Sequence, residues 1–209
     1  MTTRRGLLKK TLGGTALLLA AGAVPLALRK TKLRELPAGK TLQFFGPVEY
    51  AIFAAVADRI LAVPADATGA LQAAPSAAQV DVAGKADAFL APLPPDDAKQ
   101  FKQLLGLFDN ALFSLVTGGP PTPFTQLPPD KQDAQLHAWA TSRLAIRRTG
   151  YQALKRLCGA IYFGSPETWA SASYGGPPDV SAVRAALAAE EAKAAAANRA
   201  TPAHVESQR

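Results

Sequence analysis

The sequence predicts an all-α protein: a single irregular helical domain of about five to six helices, preceded by an N-terminal signal or hydrophobic helix. Three observations predict this. Apolar residues recur at helical spacing over most of residues 47–178. No stretch of useful length alternates apolar and polar residues as a half-buried strand does. Prolines precede several of the periodic segments, where a helix readily begins. A chain of 209 residues is also long enough to bury a core.

Changes in composition divide the chain into five segments: a leader at 1–28, a linker at 29–46, a helical domain at 47–178, an alanine-rich helix at 179–198 and a tail at 199–209. The linker is interrupted by proline and glycine and is expected to be extended. The alanine-rich helix has little apolar bulk, so we expect it to be exposed or laid along a partner. The tail is expected to be disordered.

Within the domain, each predicted helix starts near a proline or an N-capping residue. The expected helices run from Pro47 to Pro64, from Asp81 to Pro92, from Pro94 to Gly118, from Asp130 to about Thr141 and from Arg143 to Gly164. Residues 64–79 are expected to form a surface loop, and a short helix is expected after Ser165 as its N-cap. The third helix is the most clearly amphipathic, since its apolar stripe continues as far as Val116.

The excess positive charge is confined to the beginning of the chain. The net charge is +7, and residues 1–35 hold eight basic side chains and one acidic side chain. Residues 36–209 hold 15 of each and are therefore neutral. A neutral body does not indicate binding to nucleic acid, which requires a basic surface.

The leader resembles a twin-arginine export signal. Arg4 and Arg5 are followed by the apolar pair Leu7 and Leu8, and then by a mildly hydrophobic run from Thr11 to Leu28. Small residues at 21–23 suit signal peptidase. The signal predicts a periplasmic protein that uses the twin-arginine translocase, which carries folded cargo. Two alternatives stay open: an uncleaved leader that anchors the chain in the inner membrane, and a chance Arg-Arg pair before a buried helix.

The reactive side chains form no catalytic or metal-binding pattern. The chain has two histidines, His137 on a predicted helix and His204 in the tail, and no nucleophile stands in a recognisable motif. Cys158 is the sole cysteine, which excludes an internal disulfide, a cysteine-based zinc site and a covalent haem motif. Its place on an apolar helix face predicts a buried thiol, with an intermolecular disulfide as the alternative. We therefore expect no catalytic, cofactor-binding or metal-binding residues.

Two arginines of the long helix lie on its apolar side. Arg143 and Arg147 share that arc with a set of apolar and aromatic residues: Tyr151, Leu154, Leu157, Cys158, Ile161 and Tyr162. An unpaired buried guanidinium would be very costly. We therefore expect these arginines either to pair within the chain, with Asp109 or Asp58 as candidate partners, or to contact a partner subunit.

The end of the long helix and the segment after it carry a distinctive pattern. In order, it reads Tyr162-Phe163, Gly164-Ser165-Pro166, Trp169, Tyr174 and Gly176-Pro177-Pro178. This pattern resembles the gluconate 2-dehydrogenase subunit 3 family, and the similarity runs from about Val48 to Pro178. The family usually has glycine where this chain has Ser173, so we expect the backbone to differ locally there.

The resemblance implies a non-catalytic small subunit. Members of the family accompany a periplasmic large subunit of the glucose–methanol–choline type, which holds FAD, and electrons leave through a multihaem cytochrome c in a third chain. The small subunit would bind the FAD-loaded subunit, assist its maturation in a chaperone-like way and supply the twin-arginine signal. By this resemblance the chain is no enzyme by itself and holds no cofactor, and the complex is associated with the membrane.

Large aromatic residues near turns often dominate interfaces. Together with the two arginines, they suggest a set of interface residues: Arg143, Arg147, Tyr162, Trp169, Tyr174, Gly176 and Pro177. The alternative is that the aromatic side chains cap the core of this chain. Two other functions stay open, a stand-alone exported helical binding protein or enzyme with an unrecognised site, and a membrane-anchored scaffold.

Overall fold

The structure, a computed structural model, describes residues 30–37, 39–64, 66–178 and 180–200. Over these ranges it contains eight α-helices: α1 (Pro47–Ile60), α2 (Gly69–Gln72), α3 (Val82–Leu90), α4 (Pro95–Asp109), α5 (Ala111–Val116), α6 (Pro129–Ala140), α7 (Ala145–Phe163) and α8 (Ser181–Ala200). Two 3-10 helices span Phe124–Gln126 and Pro166–Thr168, and no strand occurs in the described residues. The all-α prediction is confirmed, although the helices outnumber the five to six expected.

Most helix starts follow from the sequence signals. Proline occupies the first turn of α1, α4 and α6, where its missing N–H costs no hydrogen bond. Asp81 caps α3, and its carboxylate accepts a hydrogen bond from the Gly84 N–H at 3.3 Å. The expected long helix exists as α7, but it begins at Ala145 rather than at Arg143.

Two of the predicted boundaries are wrong. The helix expected from Pro94 to Gly118 is broken at Asn110, whose side chain accepts a hydrogen bond from the Phe113 N–H at 2.8 Å and so starts α5. The loop expected at 64–79 contains the short helix α2.

Ser165 does not cap the turn that follows it, contrary to expectation. Its hydroxyl donates a hydrogen bond to the Ile161 carbonyl at 2.8 Å, and the turn itself is a 3-10 helix. Thr168 closes this turn, because its buried hydroxyl donates to the Tyr162 carbonyl at 2.8 Å and to the Ser165 carbonyl at 2.9 Å.

The core is built around α1, which packs against α3, α4, α6 and α7. Ile52, Phe53 and Val56 of α1 are at most 1% exposed. Burying each such side chain contributes about 1.5–3 kcal/mol. A second aromatic group lies beside it, where Phe108 makes edge-to-face contacts with Phe124 and Trp139 at 4.7 and 4.6 Å between ring centroids.

The described residues of the linker form neither helix nor strand, and the Lys40 N–H donates to the Pro37 carbonyl at 3.1 Å in a turn. The linker is also part of the core. The buried carboxylate of Asp87 on α3 accepts three backbone N–H groups, from Gln43 at 2.7 Å, Phe44 at 2.9 Å and Phe45 at 2.7 Å. The Phe45 ring stacks on Phe53 of α1 at 5.5 Å. Asp87 therefore fixes the linker so that its phenylalanines enter the core.

The start of the linker is held by a second buried carboxylate. Asp109 accepts hydrogen bonds from the Thr31 hydroxyl at 2.7 Å, the Thr125 N–H at 2.8 Å and the Thr125 hydroxyl at 3.0 Å. Burial raises the pKa of the Asp109 carboxyl, although these hydrogen bonds oppose the shift. Arg34 adds an ion pair to Asp58 at 2.6 Å. We call residues 30–45, with the carboxylates that bind them, the linker face.

The described residues up to Tyr174 form one unit, and those from Gly175 form a second. The second unit contains α8, which extends from Ser181 to Ala200 and so begins and ends two residues later than the predicted range of 179–198. Its larger apolar side chains, Val183 and Leu187, are 59% and 57% exposed. This agrees with the expectation that helix propensity rather than packing maintains it.

Candidate functional site

An open apolar groove lies between α4 and the N-terminal half of α7. Its volume is about 820 Å³. Most of its lining is apolar: Leu93, Phe101, Leu104, Leu107, Ala145, Ile146, Gly150 and Ala153. Asp97, Gln100, Gln103 and Thr149 supply polar groups. We call this feature the α4–α7 groove.

Small residues of α7 form one wall of the α4–α7 groove. A Cβ atom added at Gly150 would lie 2.5 Å from Leu104 Cδ1 and 3.1 Å from Trp139 Cζ3, so the missing side chain allows α4 to approach α7 at this point. Ile146, one turn earlier, is 58% exposed in the groove. A large apolar residue this exposed, in a concave apolar surface, indicates a binding surface.

A second cavity, of about 330 Å³, lies beside the same half of α7. Arg147 lines it and is only 7% exposed. Its guanidinium lies 5.5 Å from the Trp139 ring centroid, and Nη1 donates to the Thr117 carbonyl over a long 3.4 Å. Its Nε is buried without a hydrogen-bond partner among the described residues. Burial lowers the pKa of the Arg147 guanidinium. We call this cavity the Arg147 pocket.

The expected ion pair of Arg147 within the chain is wrong for both candidate partners. Asp109 is occupied by Thr31 and Thr125, and Asp58 pairs with Arg34. The linker residues Thr31 and Arg34 therefore contact both of these carboxylates. Arg143 lies outside α7, just before its first residue, and is exposed.

The predicted aromatic interface residues lie at different depths. Tyr162 is 5% exposed, and its hydroxyl donates to the Pro75 carbonyl at 2.6 Å, so it belongs to the core. Trp169 is half-buried and donates from Nε1 to the Phe163 carbonyl at 3.1 Å. Its ring meets Tyr174 edge to face at 5.5 Å, and Tyr174 is 48% exposed. Trp169 and Tyr174 therefore present aromatic surface outside the core.

The remaining predicted residues belong to the turn that follows. Ser173 has a φ of +53°, a left-handed conformation that favours glycine. The backbone thus adopts, with serine, a conformation suited to glycine. In the second unit, Gly176 has a φ of +95°, and Pro177 is exposed. The export residues Arg4, Arg5, Leu7 and Leu8 lie outside the described residues.

The reactive side chains are dispersed. Cys158 is buried, which confirms the buried-thiol prediction, and burial raises its pKa to about 12. His137 is exposed on α6. In the part of the chain that the structure describes, no three His, Cys, Asp or Glu side chains are grouped as metal ligands would be. None of the helices placed by the structure has both the length and the apolar character needed to cross a membrane.

The α4–α7 groove was not predicted from the sequence. Part of its lining, Phe101 and Leu104, belongs to the apolar stripe that predicts the amphipathic third helix. Helical spacing shows which residues share a face, but it does not show whether another helix covers that face. The uncovered side of α7 carries Ala145, Ile146 and Thr149, which give no strong apolar stripe.

The comparisons with known proteins give one match. The family model described as Gluconate 2-dehydrogenase subunit 3 matches residues 47–176, more than half of the chain. No curated protein and no solved structure matches the chain. The matched range begins with α1 and includes α7, the 3-10 turn after it and the Trp169–Tyr174 pair. The chain belongs to the gluconate 2-dehydrogenase subunit 3 family.

Proposed function

We propose that the chain is the non-catalytic small subunit of a periplasmic flavin-dependent dehydrogenase, and that it binds the FAD-loaded large subunit through the α4–α7 groove. Membership of the family is consistent with a small subunit of a dehydrogenase. FAD belongs to the large subunit and haem to a cytochrome c chain, so this subunit contributes binding and maturation rather than chemistry.

The open groove is the observation that carries this proposal. A subunit must present a surface that its own fold leaves uncovered, and contiguous exposed apolar surface marks such sites. The groove offers half-buried Phe101, Leu104 and Leu107 on one side and exposed Ile146 on the other. An apolar helix of the large subunit suits it, since the i, i+3, i+4 pattern of such a helix fills a groove between two helices.

The leader supplies the second part of the proposal. Arg4 and Arg5 would direct the folded complex to the twin-arginine translocase, so the large subunit would cross the membrane as a passenger. The linker face supports this role, because hydrogen bonds from Thr31 and Lys32 attach the chain just beyond the leader to buried groups of the body. The attachment of Thr31 and Lys32 through buried groups therefore requires a folded domain.

Co-purification tests the binding role. The tagged chain is expressed with its neighbour-encoded large subunit, and the yield of yellow flavoprotein is measured by its flavin absorbance. Ile146→Glu places a charge in the groove and should lower that yield at least about tenfold, since a buried unpaired charge disrupts an interface. The matched control is Phe89→Glu on α3, which also replaces an exposed apolar residue, 64% exposed, and should leave the yield unchanged.

Three results would contradict the proposal. Equal losses for Ile146→Glu and Phe89→Glu would show that the groove is not the binding surface. Tight flavin binding or substrate turnover by the isolated chain would favour the stand-alone alternative. If the large subunit is still exported after Arg4 and Arg5 are replaced by lysine, the leader is not its export signal.

A further inference from the structure

The Arg147 pocket contains a buried charge that the chain itself does not balance. Two other arginines of the described residues meet carboxylates: the exposed Arg34 pairs with Asp58, and the half-buried Arg59 makes a two-point contact with Asp133 at 2.8 and 2.6 Å. Arg147 is more deeply buried than either and has only the distant Thr117 carbonyl and the Trp139 ring. A guanidinium has five N–H donors, so most of its hydrogen-bonding capacity is unused.

A second unsatisfied group lines the same pocket. Gln135 is 6% exposed, and its Nε2 donates to the Phe108 carbonyl at 2.9 Å, which fixes the orientation of the amide. Its Oε1 is buried and receives no hydrogen bond from the described residues. Buried polar atoms are normally satisfied, so an unused acceptor and an unused donor on two residues that line the same pocket require an explanation.

The two groups together define the chemistry of a ligand. Arg147 requires an anion, and a carboxylate matches the planar guanidinium fork. Gln135 Oε1 requires an N–H or O–H donor. Lys131 also lines the pocket and adds positive charge, since its only ion pair in the described residues is a long, exposed one of 3.9 Å to Asp130. A cation would be repelled here, and an anion without a donor would leave Oε1 unsatisfied.

We propose that the Arg147 pocket binds a carboxylate that carries an N–H or O–H donor close to it. A C-terminal residue of a polypeptide has this chemistry, with the donor on its amide nitrogen, and so does a small hydroxy acid. The pocket of about 330 Å³ has room for either, since one water molecule takes about 30 Å³ of liquid. The site is distinct from the α4–α7 groove and does not depend on the proposed partner.

The fluorescence of Trp139 provides a direct test, because its ring lies against Arg147. The purified full-length chain carrying Trp169→Phe reports Trp139 alone, since the chain has two tryptophans. Four probes are titrated: N-acetylglycine, glycolate, acetate and the neutral N-acetylglycinamide. We expect saturable binding of the carboxylates, with N-acetylglycine or glycolate at least about fivefold tighter than acetate because of the added hydrogen bond. The tighter of these two identifies the source as a polypeptide C-terminus or a small hydroxy acid.

Variants assign the binding to the two side chains. Arg147→Met should abolish saturable binding of every probe. Gln135→Leu should remove only the tighter binding of N-acetylglycine or glycolate relative to acetate. Arg147→Lys keeps the charge and loses the guanidinium fork, so it should weaken the binding of N-acetylglycine. The lysine variant also controls for a folding defect in the methionine variant. An equal response to N-acetylglycinamide, a titration without saturation, or binding unchanged in Arg147→Met or in Arg147→Lys would overturn the proposal.

Discussion

The linker face and the N-terminal half of α7 differ in whether their buried charged side chains have hydrogen-bond partners. On the linker face, Asp87 accepts three hydrogen bonds from backbone N–H groups, and Asp109 accepts three from Thr31 and Thr125. On α7, Arg147 is nearly as deeply buried but keeps an unpartnered Nε among the described residues and lines the Arg147 pocket. Both regions belong to the same unit of the chain.

This difference in hydrogen bonding distinguishes polar groups that stabilise the fold from polar groups that are available to a ligand. A buried carboxylate that accepts three hydrogen bonds from its own chain stabilises the fold. A buried guanidinium with unused donors is an unfavourable feature of the isolated chain. Such features are common at functional sites, where binding rather than folding satisfies them. The open groove on the other side of the same half-helix agrees with this division.

The largest expected effect is the loss of the Asp87 carboxylate. Asp87→Ala leaves three N–H groups of the linker without their acceptor, two of them buried, and should lower the free energy of unfolding by about 3–5 kcal/mol. Urea denaturation followed by circular dichroism measures this. The control Asp66→Ala, an exposed carboxylate in a loop, should change stability by less than about 0.5 kcal/mol. Similar effects for the two variants would mean that the linker is not held by Asp87.

Arg147→Met should have the opposite sign. Methionine keeps the apolar contact with Trp139 and removes an unpaired buried charge, so the free energy of unfolding should rise by about 1–2 kcal/mol. Carboxylate binding to the Arg147 pocket should be lost in the same variant. A gain in stability together with a loss of binding is the signature of a functional residue. If Arg147→Met destabilises the chain as much as Asp87→Ala does, Arg147 stabilises the fold and the proposed difference between the two regions is wrong.

Two glycines of α7 distinguish the groove from the rest of the helix. At Gly159 an added Cβ meets nothing within 4 Å, so Gly159→Ala should stabilise the chain by about 1 kcal/mol through helix propensity. At Gly150 the added Cβ would press on Leu104 and Trp139, so Gly150→Ala should be about 1–3 kcal/mol less stable than Gly159→Ala. Thermal unfolding of the two variants measures the difference. Equal melting temperatures would show that α4 and α7 do not meet at Gly150.

The smallest effect is a pH dependence on the linker face. Because burial raises the pKa of Asp109 above its ordinary value of 3.8, ionisation of the folded protein costs stability. The contribution of this carboxyl is fully present below its unfolded pKa and is lost as pH rises through the folded pKa. The stability of the wild type relative to Asp109→Asn should therefore fall as pH rises from about 3.8 through that range. Chemical denaturation at a series of pH values checks this, and a rising difference would contradict it.

Much of the fold could be predicted because its signals are local. Proline in the first turn and the Asp81 cap identify the starts of α1, α3, α4 and α6. The break at Asn110 was missed because the apolar stripe continues across it, whereas the cap depends on one side chain. The partners of Asp87, Asp109 and Arg147 could not be predicted. These partners depend on the position of the linker in the folded chain, which lies 40 or more residues away in sequence from Asp87 and Asp109. Helical periodicity carries no information about that position.

The candidate site could be predicted only in part. The arc on α7 correctly singled out Arg147 as a buried arginine in need of an explanation. The groove was not foreseen, because an apolar stripe has the same pattern whether or not another helix covers it. Tyr162 shows the converse. Its place near a turn is compatible with an interface residue or with a residue that caps the core, and its burial and its hydrogen bond to the Pro75 carbonyl agree with the second alternative.

Site-specific photo-crosslinking tests most directly whether the N-terminal half of α7 is left open for a partner. A photoreactive phenylalanine analogue replaces Ile146 in the groove or, as the control, Phe89 on α3, in cells that also produce the large subunit. The proposed function predicts that position 146 crosslinks to the flavin-containing large subunit and that position 89 does not. Crosslinks from 146 only to a second copy of this chain, or equal crosslinking from both positions, would contradict it.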